Sequence, residues 1–166
     1  MSTQEVQLQF KGAMRRLAAS VCIVTAAKDG ELYGMAVTAV TSLSMDPPSL
    51  LVCVNRSAKI HALMAEGQGF CVNILHHGQE PVARQFGNAT LSATERFSVG
   101  DWDLEAGGGP HLRGAQACIE CVLDKRFEYG SHTVCAGRVK RVVLGEKTDP
   151  LLYANGLYTT AHFPKV

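Results

Sequence analysis

The stretch GMAVTAVTSLSMDPPSLLVCVNRSAKI, residues 34–60, decides the architecture. It opens as a β-branched run, crowds four hydroxyl residues into Thr38–Ser44, turns at Asp46-Pro47-Pro48 and resumes as the apolar run Leu50–Val54. Consecutive prolines remove backbone donors and force extended geometry, so they end one element and shape a loop, after which a buried strand begins. Upstream, VCIVTAA and LYGMAVTAV are two further strand-like runs joined by KDGE, whose Asp-Gly step suits a hairpin. Downstream, SAKIHALMAEG offers Ser57 as the N-cap and Gly67 as the stop of a helix; FCVNIL returns to strand, and QEPVARQFG makes a short helix. Gln116–Leu144 reads as strand broken at EYGS, and PLLY and LYTTAHF flank Asn155-Gly156. Near the N-terminus, Val6, Phe10, Met14 and Leu17 recur at helical spacing, which predicts an amphipathic helix with that stripe against a core and Lys11, Arg15 and Arg16 outside.

Some six or seven strands with two or three short helices predict a mainly β fold: a closed or nearly closed antiparallel barrel with short flanking helices, one domain over residues 1–166. SVGDWDLEAGGGPHLRG is the one long irregular stretch, with Trp102 as its expected anchor and Gly107-Gly108-Gly109 free to bend. Sixteen Lys+Arg balance fifteen Asp+Glu to a net charge of +1, and neither half holds a basic run. Without that long-range attraction, nucleic acid and anionic membranes are excluded and a small molecule is the expected partner. No apolar run approaches the ~18 residues of a membrane span, and MSTQEVQLQF lacks the basic and apolar regions of a signal peptide, so a cytoplasmic protein is expected. The six cysteines lie mostly in apolar runs and read as reduced core residues.

Several chemistries drop out on spacing. There is no Walker lysine, and AGGGPHLRG follows no strand, so any nucleotide is held in neither a P-loop nor a Rossmann turn. Cys118 and Cys121 form a lone C-x-x-C whose members point to opposite faces of a strand, and adjacent His76 and His77 diverge with no carboxylates near them, so no metal is predicted. A Cys/His hydrolase needs a thiolate in a polar setting, which these apolar runs do not provide. The strand-end hydroxyls of TAVTSLS, together with Ser57 beside Arg56 and Lys59, do suit a phosphate-bearing cofactor. In GSHTVCAGRV, residues 130–139, an extended backbone puts His132, Val134 and Ala136 on one face.

The blocks GMAVTAVTSLSMDPPSLLVCVNRSAKI, GFCVNILHHGQEPVARQFG and GSHTVCAGRV occur in order and resemble the flavin reductase family of the flavin-binding split barrel. More narrowly, the chain is similar to the reductase components of two-component flavin monooxygenases, such as that acting on 4-hydroxyphenylacetate, from about Phe10 to Phe163. The resemblance implies reduction of FMN or FAD by NADH or NADPH, with the reduced flavin released to a separate monooxygenase. It also implies that Ala36, Val37, Thr38, Val40, Ser42 and Ser44 line the flavin, that Asn55 meets it from the next strand, and that Ser57 and Lys59 take its phosphate. Phe86 would border the ring; His132, in the place of the family's Gly-Asp-His histidine, would lie beside the nicotinamide, with Tyr158 bordering that pocket. Ser131 stands where many members carry aspartate. The resemblance further implies a homodimer, in keeping with the apolar and aromatic PLLYANGLYTTAHF; the Gly107-Gly108-Gly109 loop is then the expected mobile wall. Two alternatives on the same scaffold are a flavin carrier or sensor without turnover, and an FMN-dependent oxidase of the pyridoxamine-phosphate-oxidase type; the second wants basic residues for another phosphate, and none cluster here.

Overall fold

In the computed structural model, which describes residues 2–162, the run VCIVTAA becomes a strand buried on both faces, and the architecture follows from it. Phe163, where the resemblance ends, lies outside the described residues. In chain order the elements are α1 (Thr3–Met14), β1 (Ala19–Ser20), β2 (Cys22–Lys28), β3 (Glu31–Val37), β4 (Val40–Met45), β5 (Pro48–Asn55), a 3-10 helix (Lys59–Leu63) and β6 (Gly69–Ile74). There follow α2 (Glu80–Gly87), α3 (Ala93–Phe97), β7 (Trp102–Asp103), β8 (His111–Leu112), β9 (Ala117–Tyr129), β10 (His132–Leu144), β11 (Leu151–Ala154) and β12 (Leu157–Thr160). Among the described residues no helix is long and apolar enough to cross a membrane.

Seven strands form one antiparallel sheet in the order β3-β2-β6-β9-β10-β5-β4. Its inner face closes on one core: Val24 and Ala26 of β2, Phe70 and Val72 of β6, Cys121 and Leu123 of β9, Cys135 of β10, and Leu50, Val52 and Val54 of β5. Strands far apart in the ladder thus touch across a common interior, while no ladder joins β3 to β4. The barrel is split rather than closed. The opposite face of β2, β6 and β9 carries Val21 and Ile23, Cys71, and Cys118 into a second core with Val82, Ala83 and Phe86 of α2 and Leu151 of β11. A strand clothed on both sides reads as an unbroken apolar run, which is why β2 shows no alternation. Cys118 and Cys121 do fall in different cores, as their spacing requires.

Two expectations need correction. The helix α1 forms, held by a Ser2/Glu5 capping box, but none of its residues is buried: Phe10 is 64% and Leu17 61% exposed. The stripe is real, but this chain offers it no core. The Pro-Pro step does shape a loop, the tip of the β4–β5 hairpin, with Pro48 as the first residue of β5, one position beyond the last β10 partner, Ser49. Gly107-Gly108-Gly109 is not a free loop, because Gly109 is buried, and a Cβ on it would stand 2.6 Å from the carbonyl oxygen of Thr25.

What pins that segment is a buried polar network around Asn73 of β6. Its amide nitrogen donates to Ile23 O (3.2 Å), Thr25 Oγ1 (3.2 Å) and Pro110 O (3.3 Å), while its oxygen accepts from Leu112 N (2.8 Å) and the thiol of Cys118 (3.2 Å). Thr25 Oγ1 also donates to Pro110 O at 2.7 Å. Trp102, paired with Leu112 in the β7–β8 ladder, anchors the loop as expected, its indole donating to Val99 O at 2.8 Å.

This packing predicts a contrast between neighbouring glycines. Gly109→Ala forces a side chain against backbone at φ +152 and should lower unfolding free energy by about 2–3 kcal/mol. Gly107→Ala meets only the flexible end of Glu120 at 3.2 Å and should stay within about 0.5 kcal/mol. Denaturant unfolding of the two variants checks this.

Candidate functional site

The outer edge of β3 and the C-terminal end of β5 bound a cavity of about 290 Å³ whose lining includes Ala36, Asn55, Ser57, Lys59 and Phe86. These five expected site residues come from three segments of the sequence, around residues 36, 55–59 and 86, and the fold brings them together. One end is polar. Asn55 Oδ1 accepts both the backbone N–H and the hydroxyl of Ser57 at 2.9 Å, so the amide side chain folds the 55–57 turn around itself. The other end is apolar, with Met35, Ala36 and Ile60 beside the aromatic edge of Phe86.

Phe86 is held from behind. Its ring centroid lies 5.0 Å from Phe97 at 89° and 5.2 Å from Trp102, so α2, α3 and the β7 loop meet in one aromatic cluster. In front, the ring lies against Gly34, where a Cβ would stand 2.5 Å from Phe86 Cε1. The missing side chain at residue 34 is what lets the aromatic wall reach the strand.

Arg96 is the residue that sequence reasoning missed. It sits on α3, lines the cavity, and donates from Nη1 to Gly34 O (2.7 Å) and from Nη2 to Asn88 O (2.9 Å), while its buried Nε has no partner. A signal was present: Ser92 and Glu95 form a capping box, the S-x-x-E pattern that opens a helix and places Arg96 one residue later. A buried, unpartnered N–H beside Lys59 and Ser57 suits a phosphate, and the apolar end suits a planar ring, so the residues present fit a flavin mononucleotide unit.

The remaining expected residues divide. Val37, Thr38 and Tyr158 share with Ala36 a second hollow of about 180 Å³, in which Tyr153 and Tyr158 pack edge to face at 5.3 Å. Val37 itself is mainly a core residue at 7% exposure. Arg84 lies over the Tyr158 ring at 4.9 Å; desolvation raises the phenol above its ordinary range against the opposing pull of that cation, so the ring stays neutral. Thr38 and Val40 line a wider groove of about 930 Å³ under α1. Ser42 and Ser44 lie outside all three hollows on β4, where Ser44 Oγ is engaged with the backbone of Asp46 at 3.0 Å. His132 opens β10 directly opposite Asn55 in the ladder, exposed, with Val134 and Ala136 on the same outward face while Thr133 and Cys135 point inward.

The expected helix N-terminus at Ser57 is not there. Ser57 is instead drawn into a turn around the Asn55 side chain, and the following five-residue 3-10 helix begins at Lys59 after Ala58 without a side-chain cap. Arg56 turns away from Lys59, its guanidinium 3.5 Å from Glu128. Nor do the cysteines offer a nucleophile: burial pushes Cys22 and Cys121 up to about 12 and Cys135 to about 11. Cys118 is lowered by the thiol of Cys71, yet it is engaged in the Asn73 network, outside the candidate cavity.

Comparison with known proteins places this geometry. Residues 14–162 match the model of the flavin reductase like domain. The chain is 39% identical over 163 residues to the reductase component of the FADH(2)-dependent resorcinol hydroxylase of Rhizobium sp. (strain MTP-10005), covering 97% of this chain and 90% of that one. It is 34% identical to the 4-hydroxyphenylacetate 3-monooxygenase reductase component of Escherichia coli, covering 92% and 91%. Among solved structures, the NADH:FAD oxidoreductase of Streptomyces globisporus, in complex with NAD and FAD fragments, superimposes with a TM-score of 0.86 at 28% identity, covering 99% of this chain and 96% of that one. With a matching domain model over nearly its whole length, close relatives and the same split-barrel architecture, the chain belongs to the flavin reductase family.

Proposed function

We propose that the protein reduces FMN or FAD with NADH or NADPH in the cytoplasm, at the cavity between β3, β5 and α2, and releases the reduced flavin to a separate monooxygenase component. The observation that carries the site is the convergence of Asn55, Ser57, Lys59, Arg96 and Phe86 on one cavity, with His132 across the ladder from Asn55. Bound flavin and nicotinamide supply the chemistry, a hydride passing from nicotinamide C4 to flavin N5. The chain's residues have to bind and align two rings at about 3–3.5 Å. Ser57, Lys59 and the Nε of Arg96 hold the phosphate; Ala36 and Phe86 border the ring; Thr38 and Val40 continue the lining toward α1; His132 and Tyr158 border the nicotinamide. Val37 contributes from the core side. Ser42 and Ser44, on the exposed β4 edge, line the flavin only where the site extends beyond one subunit's cavity.

That extension is supplied by a second copy of the chain. The stripe of α1, the outward residues Leu51, Cys53, Val134 and Ala136 and the exposed Leu157 (68%) form an apolar surface that one chain leaves uncovered. A homodimer buries it and walls the flavin from water, which limits wasteful reaction of reduced flavin with oxygen.

Three outcomes are expected. NADH oxidation requires added flavin, and His132→Ala slows hydride transfer about tenfold in stopped-flow measurements with flavin affinity unchanged, because alignment rather than proton transfer is lost; transfer at the wild-type rate removes His132 from the site. Ser57→Ala and Arg96→Lys weaken flavin binding about tenfold, the value of one charge-assisted hydrogen bond, and Lys59→Ala less because that side chain is solvent-screened. Fluorescence titration reads all three, and unchanged dissociation constants put the phosphate elsewhere. Light scattering at micromolar concentration gives a dimer, and Phe10→Asp gives a monomer with weakened flavin binding; a fully active wild-type monomer defeats the shared site.

A further inference from the structure

The turn that delivers His132 is held at one residue from two directions. Tyr129 pairs with His132, so Gly130 (φ +56) and Ser131 form a two-residue hairpin loop. The Ser131 carbonyl accepts from the backbone N–H of Arg56 at 2.9 Å, and Arg56 Nη1 donates to Gly130 O at 3.4 Å. Because Arg56 stands between Asn55 and Ser57, the flavin end of the cavity and the histidine turn share one backbone clamp. With its main chain fixed, Ser131 presents its hydroxyl 2.9 Å from Nδ1 of His132.

A serine hydroxyl can either donate or accept, and the Nδ1 lone pair lies within its donating reach at 2.9 Å. Once Nδ1 accepts, the proton of a neutral imidazole resides on Nε2. An aspartate in the same place only accepts. It would demand a proton on Nδ1, and Nε2 could then donate only if the ring were charged.

We propose that Ser131 is a positioning residue for hydride transfer: by donating to Nδ1 it fixes His132 as the neutral Nε2–H tautomer, so that the ring donates to the carboxamide oxygen of the nicotinamide without carrying a charge. The inference rests on the reading that His132 borders the nicotinamide. The charged and titratable groups facing the turn are Arg56 after β5 and Glu128 and Tyr129 on β9; the first two pair with each other at 3.5 Å. His61 lies on the far face of β10, bonded to the buried Thr133 at 2.8 Å.

The sign of the pH dependence follows. In the wild type Nε2 carries a proton whether the ring is neutral or charged, so the KM for NADH is flat between about pH 7 and 9. In Ser131→Asp the carboxylate stabilises the imidazolium, the donor exists only while the ring is charged, and KM rises roughly tenfold as pH climbs through that ionisation. Ser131→Ala frees the tautomer and raises KM roughly two- to fivefold without a new pH dependence. Nitrogen-15 NMR of the His132 imidazole in the full chain reads the tautomer directly: at pH 8, Nδ1 bare and Nε2 protonated in the wild type, reversed in Ser131→Asp. A proton on Nδ1 in the wild type, or a flat KM profile in Ser131→Asp, overturns the proposal. The two levels separate cleanly. If His132→Ala impairs the nicotinamide step while the Ser131 variants behave as wild type, only the role of Ser131 falls; if His132→Ala is itself without effect, the placement of the histidine falls and the proposal with it.

Discussion

One buried side chain, the amide of Asn73, holds the molecule's irregular part to its regular part. By donating to Ile23, Thr25 and Pro110 and accepting from Leu112 and Cys118, it ties β2, β6, β9 and the long loop before β8 into one network. An amide in an apolar interior is costly unless all its hydrogen bonds are made, so the loop has no alternative position of comparable energy. The loop then fixes Trp102 through its pairing with Leu112, Trp102 backs Phe86 and Phe97, and Phe86 is the aromatic wall of the cavity. The candidate cavity is therefore shaped in part by a residue that does not line it.

Much of this was legible in the chain, and the reason is periodicity. Strands buried on both faces, such as β2, appear as unbroken apolar runs, and the hairpins at Asp29-Gly30 and Asn155-Gly156 appear as turn chemistry. Ala36 and Asn55, which the family resemblance marks, line one cavity, and His132 lies opposite Asn55 in the ladder. What failed was whatever depends on a tertiary neighbour. Ser57 has the composition of an N-cap, but its own N–H and hydroxyl are both donated to Asn55 Oδ1, and the helix starts two residues later without a side-chain cap. Three successive glycines look flexible until Thr25 and Phe70 are seen packed against them. The stripe of α1 is a sound helical pattern, yet the single chain leaves it exposed. Arg96 was passed over because nothing local says that a guanidinium will bridge Gly34 and Asn88 and keep one N–H in reserve.

The chemistry assigned here asks little of side-chain acidity and much of placement. The core cysteines hold their protons, and Tyr158 stays neutral. A protein that only stacks two reactive rings gains nothing from strong acids or bases near them, and it gains a great deal from rigid walls on short tethers. The 55–57 turn, folded around one amide oxygen, and the two-residue turn before His132 are both tethers of that kind.

The ladder order carries a consequence for the nascent protein. Asn55 and His132 are adjacent only because β5 pairs with β10, and that pairing joins segments separated by most of the barrel sequence. Long-range strand closure is slow because loop entropy is lost before contacts compensate it. A chain still emerging from the ribosome can assemble the β2–β3 and β4–β5 hairpins, yet Asn55 has no His132 opposite it until β10 is made. The two sides of the candidate site thereby come together only after most of the chain has been made, and an unfinished copy holds one side without the other.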